Sequence, residues 1–410
     1  QSEPVSRGII SSPCRTSSIT MSDVSGQRKK AKRQSDRVLV VGSINVDLYQ
    51  RMSQGSVVLG GKTIDVTSIK GQTLPAKSFV QKAPITSQLS SAEIRCVEGE
   101  EEHLVLSMAG PFEQKTGGKG ANAAAAAGQT WGCEFIGNMG EASAEENVAL
   151  LSDLQKYGSV ETGRCDVLSG PTGTAYILLF DDGDNAILLI GGANQLWPTE
   201  GALMSGDEGT KLRDAISESV ALMLQREIPE YVNVCVARHA QRLGVPVFVD
   251  VGGTDAPLDS ALIPYVSVIA PNESELTFIS GVETSVNNHA SKSLVRKAVA
   301  ALKSKFATRG QSDVEVLVTL GPLGSMYFGN GWVNDEEENG DGLLPQEVRM
   351  GCFQIAGGKP KDTTGAGDCF RGSFVAARYG EGKTVEQAMR WGAAAASLAI
   401  EVEGAMPSMP

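Results

Sequence analysis

The chain has 410 residues, 41% hydrophobic and 20% charged, the range of a soluble protein with a substantial core in one large domain or two modest ones. Its net charge of −12 argues against a broad electrostatic footprint for nucleic acid, although local dipoles can still hold small anions. Seven scattered cysteines without CxxC spacing and three isolated histidines argue for a reducing compartment and against a zinc site, and no apolar run approaches the roughly 18 residues that span a bilayer.

Residues 1–37 are rich in Ser, Arg and Lys, poor in acids and without apolar periodicity. They read as a transit-peptide remnant or as a disordered basic tail, with Met21 as a possible downstream start. Order begins at "RVLVVGSINVD", where an apolar run ends in Gly42-Ser43, the pattern of a buried strand feeding a turn. Similar runs recur at "VALMLQ", "VPVFVDVGG", "VSVIAPNE" and "VEVLVTLG", with helical patterns such as "SKSLVRKAVAALKSKF" between them. This alternation predicts an α/β fold with a mostly parallel sheet covered by helices. In "GTAYILLFDDGDNAILLIGGAN" two strand-like runs flank Asp181 to Asp184, the pattern of a β-hairpin serving as a lid or an edge. Residues 75–116 have no strong period and read as a loop insertion or a retained intron, and "WVNDEEENGDG" reads as a solvated loop.

Five segments could carry chemistry. "GSINVD" sets Asn45 and Asp47 two apart, on one side of a continuing strand, where an amide and a carboxylate suit vicinal hydroxyls; turn chemistry is the alternative. "GGKGANAAAAAG" is a glycine-rich helix entry without the P-loop pattern. Its Lys119 and Asn122 share a helix face that suits a polyhydroxylated ligand, and tight packing explains the alanines but not the double glycine. "PNESE" places Asn272, Glu273 and Glu275 at a strand's C-terminal end, where a carboxylate can hold Mg²⁺ through water or simply cap a helix. "TLGPLG" leaves a strand into a turn where a nucleotide can approach the backbone. In "DTTGAGDCFRGSF" the small residues Gly365, Ala366 and Gly367 precede an amphipathic run, so free N–H groups at the first helical turn make an anion site with Asp368 beside it. An ordinary Asp N-cap is the alternative.

Taken in order from about Val38 to the end, "GSINVD", "GGKGAN", "GGAN", "MLQREIP", "DVGG", "PNESEL", "TLGPLG", "DTTGAGD" and "EGAMPSMP" resemble the ribokinases within the PfkB carbohydrate kinases, in particular the plant and algal type. The resemblance implies a three-layer sandwich with a small β lid, whose elements fall near 47–74 and 172–190. It implies ATP-dependent phosphorylation of D-ribose at the 5-hydroxyl, with Asp368 as base and Gly365, Ala366 and Gly367 as the anion hole. Asn45, Asp47, Gly117, Gly118, Lys119, Asn122 and Glu227 are implied as sugar contacts. Thr319, Gly321 and Gly324 are implied to line the nucleotide site, and Asn272 and Glu275 to organise Mg²⁺ and the triphosphate. Asp362, Thr364, Gly404 and Ser408 match the site of an activating K⁺. The partners implied are D-ribose, ATP and a second copy through the lid, beside which the insertion sits; the plant-like match with a Ser/Arg-rich tail points to a plastid, the cytosol being the alternative. Asp250 stands where bacterial members often have asparagine, and the chain ends short of an expected terminal helix. Another sugar or nucleoside kinase of the family, or a silent scaffold on the same fold, are the rival readings.

Overall fold

A computed structural model describes residues 36–52, 56–59, 62–65, 73–76, 79–81, 91–98, 101–109, 113–141, 144–180, 185–254, 256–286, 289–334 and 343–410. The basic tail up to residue 35 and the hairpin turn Asp181 to Asp184 lie outside them.

The apolar runs form the central sheet. Its order is Cys133–Ile136, Arg37–Val41, Ser219–Leu224, Val247–Asp250, Val268–Ala270, Glu315–Thr319, Ser325–Asn334 and Leu343–Met350. The first six strands are parallel; Ser325–Asn334 pairs antiparallel with Glu315–Thr319, and Leu343–Met350 antiparallel with Ser325–Asn334. Side chains alternate between two cores: Val38 and Val40 pack into one cluster, Leu39 and Val41 into the other. The first cluster takes up the helices Lys119–Thr130, Ala366–Val375 and Val385–Ala399; the second takes up Glu230–Arg242 and Lys292–Ala307. A parallel sheet buried on both faces needs such near-continuous apolar strands. The result is the predicted three-layer α/β sandwich.

A second sheet forms the lid, in the order Thr73–Ala76, Asn185–Ile190, Gly173–Phe180, Asn45–Met52 and Glu113–Gly117. Gly173–Phe180 and Asn185–Ile190 are antiparallel, as a hairpin requires. Asn45 pairs with Gly117 and Gly173, and Asp47 with Lys115 and Ala175, so Asn45 and Asp47 share one face of this sheet.

Residues 75–116, expected as loop, differ from that expectation. Their described parts are strands: Phe79–Gln81, Ser91–Glu98 and Glu101–Ala109 form an antiparallel sheet, and Glu113–Gly117 closes the edge of the lid sheet. Backbone pairing replaces the side-chain periodicity that the sequence lacks here.

Helix Lys119–Thr130 and helix Ala366–Val375 cross in close contact. A Cβ on Gly372 would stand 2.4 Å from the Ala123 carbonyl oxygen, so only hydrogen fits at that crossing. The alanines thus let the backbone of one glycine-rich helix lie against the other, and this sets their N-terminal turns side by side.

Candidate active site

A cavity of about 1060 Å³ opens between the lid and the C-terminal ends of the parallel strands. Asn45, Asp47, Gly118, Lys119, Asn122 and Glu227 line one part; Asn272, Glu275, Thr319, Gly321 and Gly324 line another; Thr364, Gly365, Ala366, Gly367 and Asp368 join them.

Gly365 is the N-cap of its helix in the left-handed conformation (φ 75°), which favours glycine. Asp368 is therefore the third helical residue, and its side chain makes no cap. The carboxylate is buried and points at the neighbouring helix: Asn122 Nδ2 donates to its Oδ2 at 3.0 Å, and Lys119 Nζ lies 3.5 Å from Oδ1. The capping alternative is thereby excluded for Asp368; Ala366 N donates to Thr363 O at 3.2 Å, and the turn Gly365 to Gly367 lines the cavity at the helix start.

On the lid side, Asp47 is buried and its Oδ1 has no hydrogen-bond partner among the described residues. Burial, then Glu227, Asp368 and Asp362, push its carboxyl well above the ordinary range. Glu227 is raised as well, first by burial, against the pull of Lys119 and Ser43. It accepts from the Lys119 backbone N–H at 3.0 Å and from Ser43 Oγ at 2.5 Å. Asn45 Oδ1 accepts from Asn194 Nδ2 at 2.7 Å, and Asn194 in turn brackets the Ile44 peptide. Ser43 and Asn194 were not singled out from sequence, although both lie inside the quoted motifs "GSINVD" and "GGAN"; the signal was there without a role attached. Gly117 does not line the cavity but stands behind Asp47, where a Cβ would occupy the carboxylate's place.

On the nucleotide side, Asn272 and Glu275 form a reciprocal capping box: Asn272 Oδ1 accepts from Glu275 N at 2.8 Å and Glu275 Oε2 from Asn272 N at 2.7 Å. The cap reading of "PNESE" is thus realised, and it fixes the Glu275 carboxylate at the cavity wall. Two buried residues complete this side. Asp250 accepts from Arg371 Nη1 at 3.1 Å and lies 3.5 Å from Lys119 Nζ. Burial alone would raise Asp250, but Arg371 and Lys119 hold it below the usual carboxylate range. Burial alone would lower Lys119, but Asp250 and Asp368 keep its ammonium form favoured.

Asp362 is buried beneath the cavity. Its Oδ1 accepts from Thr364 N at 2.9 Å and its Oδ2 from Gly404 N at 2.8 Å, tying the glycine turn to the C-terminal segment. Ser408 is buried in that segment and donates to the Ala405 carbonyl at 2.6 Å. Tyr49 of the lid accepts from Ala405 N at 3.1 Å, so lid strand and C-terminal segment are joined as well.

Comparison with known proteins agrees with this geometry. The ribokinase of Arabidopsis thaliana is 35% identical over 296 residues, 72% of this chain and 69% of that protein. The ribokinase of Bacillus subtilis is 28% identical over 300 residues, 73% of this chain and 86% of that protein. The solved structure of Arabidopsis thaliana ribokinase complexed with ribose and ATP is similar with a TM-score of 0.64 at 29% identity, covering 91% of this chain and 95% of that one. The family model for pfkB family carbohydrate kinases matches residues 89–410, and the chain belongs to that family.

Proposed function

We propose that the protein transfers the terminal phosphoryl group of ATP to the 5-hydroxyl of D-ribose, giving D-ribose 5-phosphate and ADP. The observation that carries this reading is the shared cavity: a buried carboxylate, Asp368, sits between polar lid residues suited to vicinal hydroxyls and a glycine helix start suited to phosphate. Similarity to ribokinases supports ribose as the acceptor.

Phosphoryl transfer leaves the protein mainly positioning and charge stabilisation to supply. Asn45, Asp47 and Glu227 hold the sugar hydroxyls, with Gly117 leaving room for the Asp47 carboxylate, Gly118 letting its backbone approach Ser43 to Asn45, and Lys119 and Asn122 fixing the orientation of Asp368. Asp368 accepts the proton of the attacking hydroxyl. The amides of Gly365, Ala366 and Gly367 stabilise charge on the transferred group. Thr319, Gly321 and Gly324 position the nucleotide.

Mg²⁺ would sit on the nucleotide side, where Glu275 would offer it one carboxylate, and it would supply charge neutralisation to the triphosphate. K⁺ fits the region of Asp362, Thr364, Gly404 and Ser408. Asp362 is 1% exposed and, among the described residues, no lysine or arginine pairs with it, so a buried negative charge there favours a cation. The reading also includes a homodimer through the lid sheet, which light scattering tests. Coupled ADP release with ribose and ATP tests the activity: turnover is expected with ribose, and its absence from folded, ATP-binding protein would overturn the assignment.

A further inference from the structure

We propose that Arg371 is a further catalytic residue, one whose guanidinium binds the phosphoryl group as it is transferred; this rests on the kinase reading above. Arg371 follows Asp368 by one helical turn and lines the cavity, with only 4% of its side chain exposed. A guanidinium carries five N–H donors in a planar fork. Here it makes one hydrogen bond among the described residues, from Nη1 to Asp250. Its Nη2 approaches Glu275 to only 3.7 Å, beyond hydrogen-bond reach, and its Nε is buried with no partner. Nε is enclosed, so the donors that an incoming anion can take are those of Nη2, which lack an acceptor within hydrogen-bond reach among the described residues.

The position is the one that transfer requires. Nη1 stands 2.8 Å from the point that a Cβ on Gly367 would occupy, so the guanidinium abuts the turn at Gly367. Charge points the same way. The cavity wall carries the carboxylates of Asp47, Glu227, Glu273, Glu275, Glu283 and Asp368 against two cations, Lys119 and Arg371. Lys119 Nζ lies 3.5 Å from both Asp250 and Asp368, between the two sides. Arg371 shares Asp250 through Nη1, and its Nη2, with no acceptor in hydrogen-bond reach among the described residues, keeps donors for a triphosphate.

In the step itself, the ribose O5 forms a bond to the terminal phosphorus as the bond from that phosphorus to the bridging oxygen breaks. The bridging oxygen leaves with ADP and the hydroxyl proton goes to Asp368. Arg371 donates hydrogen bonds to the non-bridging oxygens and exchanges no proton. In-cis arginines of this kind act by stabilising transition-state charge.

A purely structural role, neutralising buried Asp250, predicts a different outcome, and the double variant Asp250→Asn/Arg371→Gln separates the two. It removes both charges together and leaves an amide pair. With ribose and ATP we expect kcat to fall by at least about 10²-fold while the KM for ribose stays within about threefold. ADP binding should persist, but the extra affinity for ADP with aluminium fluoride and Mg²⁺, which mimics the transferring group, should be lost. Near-normal kcat with that extra affinity retained would overturn the proposal. Should the double variant not fold, Arg371→Lys keeps the charge, loses the fork and is expected to show the same losses. The fluoride measurement needs no particular acceptor: a wild type silent with ribose overturns the ribose reading, while the fluoride comparison still decides Arg371. A wild type that binds no ADP overturns both.

Discussion

Asn122 donates its amide to the Asp368 carboxylate at 3.0 Å across 246 positions of sequence. Two glycine-rich helix starts, each an equivocal signal alone, thereby become one device: one supplies the carboxylate and anion-binding amides, the other the groups that aim the carboxylate.

Replacing Asp368 by Asn keeps the hydrogen-bonding shape but removes the proton acceptor. We predict that kcat falls by about 10² to 10⁴. Ribose affinity, measured by calorimetry, should change little. Near-normal turnover in Asp368→Asn would remove Asp368 from the role of base.

Asp47 links function to stability. Because burial raises its carboxyl, the folded protein binds this proton more tightly than the unfolded chain, whose value is near 3.8. Its stabilising contribution is fully present below that value and is lost as pH rises through the folded one. Asp47→Asn should therefore stabilise the protein at pH 8 by about 1–3 kcal/mol, and the gain should shrink on acidification. Ribose binding should weaken in the same variant. Thermal melts across pH check the sign: a loss of stability at pH 8 would contradict it.

The fold was legible because buried parallel strands advertise themselves: "VEVLVTLG" and "VPVFVDVGG" are apolar runs ended by glycine, and both are strands of the central sheet. The strands within residues 75–116 were not, since their sequence is mixed and they are held by backbone pairing. Of the site, Lys119 and Asn122 could be placed on one face from their spacing. That they face Asp368 could not, because the contact depends on the close crossing at Gly372 and Ala123. Asn194 and Ser43 position Asn45 and Glu227 through hydrogen bonds spanning 149 and 184 residues, which no local period encodes.

Asp362 holds two segments together through two backbone N–H groups. Asp362→Ala should cost about 1–3 kcal/mol and abolish any stimulation of turnover by K⁺. Titrating K⁺ against activity in both proteins gives the comparison. Undiminished stimulation in the variant would move the cation elsewhere.

Gly365 combines a left-handed backbone with a close neighbour, the Ala405 Cβ, which would lie 2.9 Å from an added Cβ. Gly365→Ala should lose about 1–2 kcal/mol from the backbone conformation, with further loss from the contact. It should also lower kcat by reorienting the helix-start amides. Unchanged melting temperature and kcat would show that the turn tolerates a side chain.

The most direct measurement is coupled ADP release by the purified protein with ribose, fructose, adenosine or no acceptor, each with and without K⁺. Ribose-selective, K⁺-stimulated turnover is the predicted result. Preference for another acceptor, or no release with ribose from a folded protein that binds ATP, would contradict it.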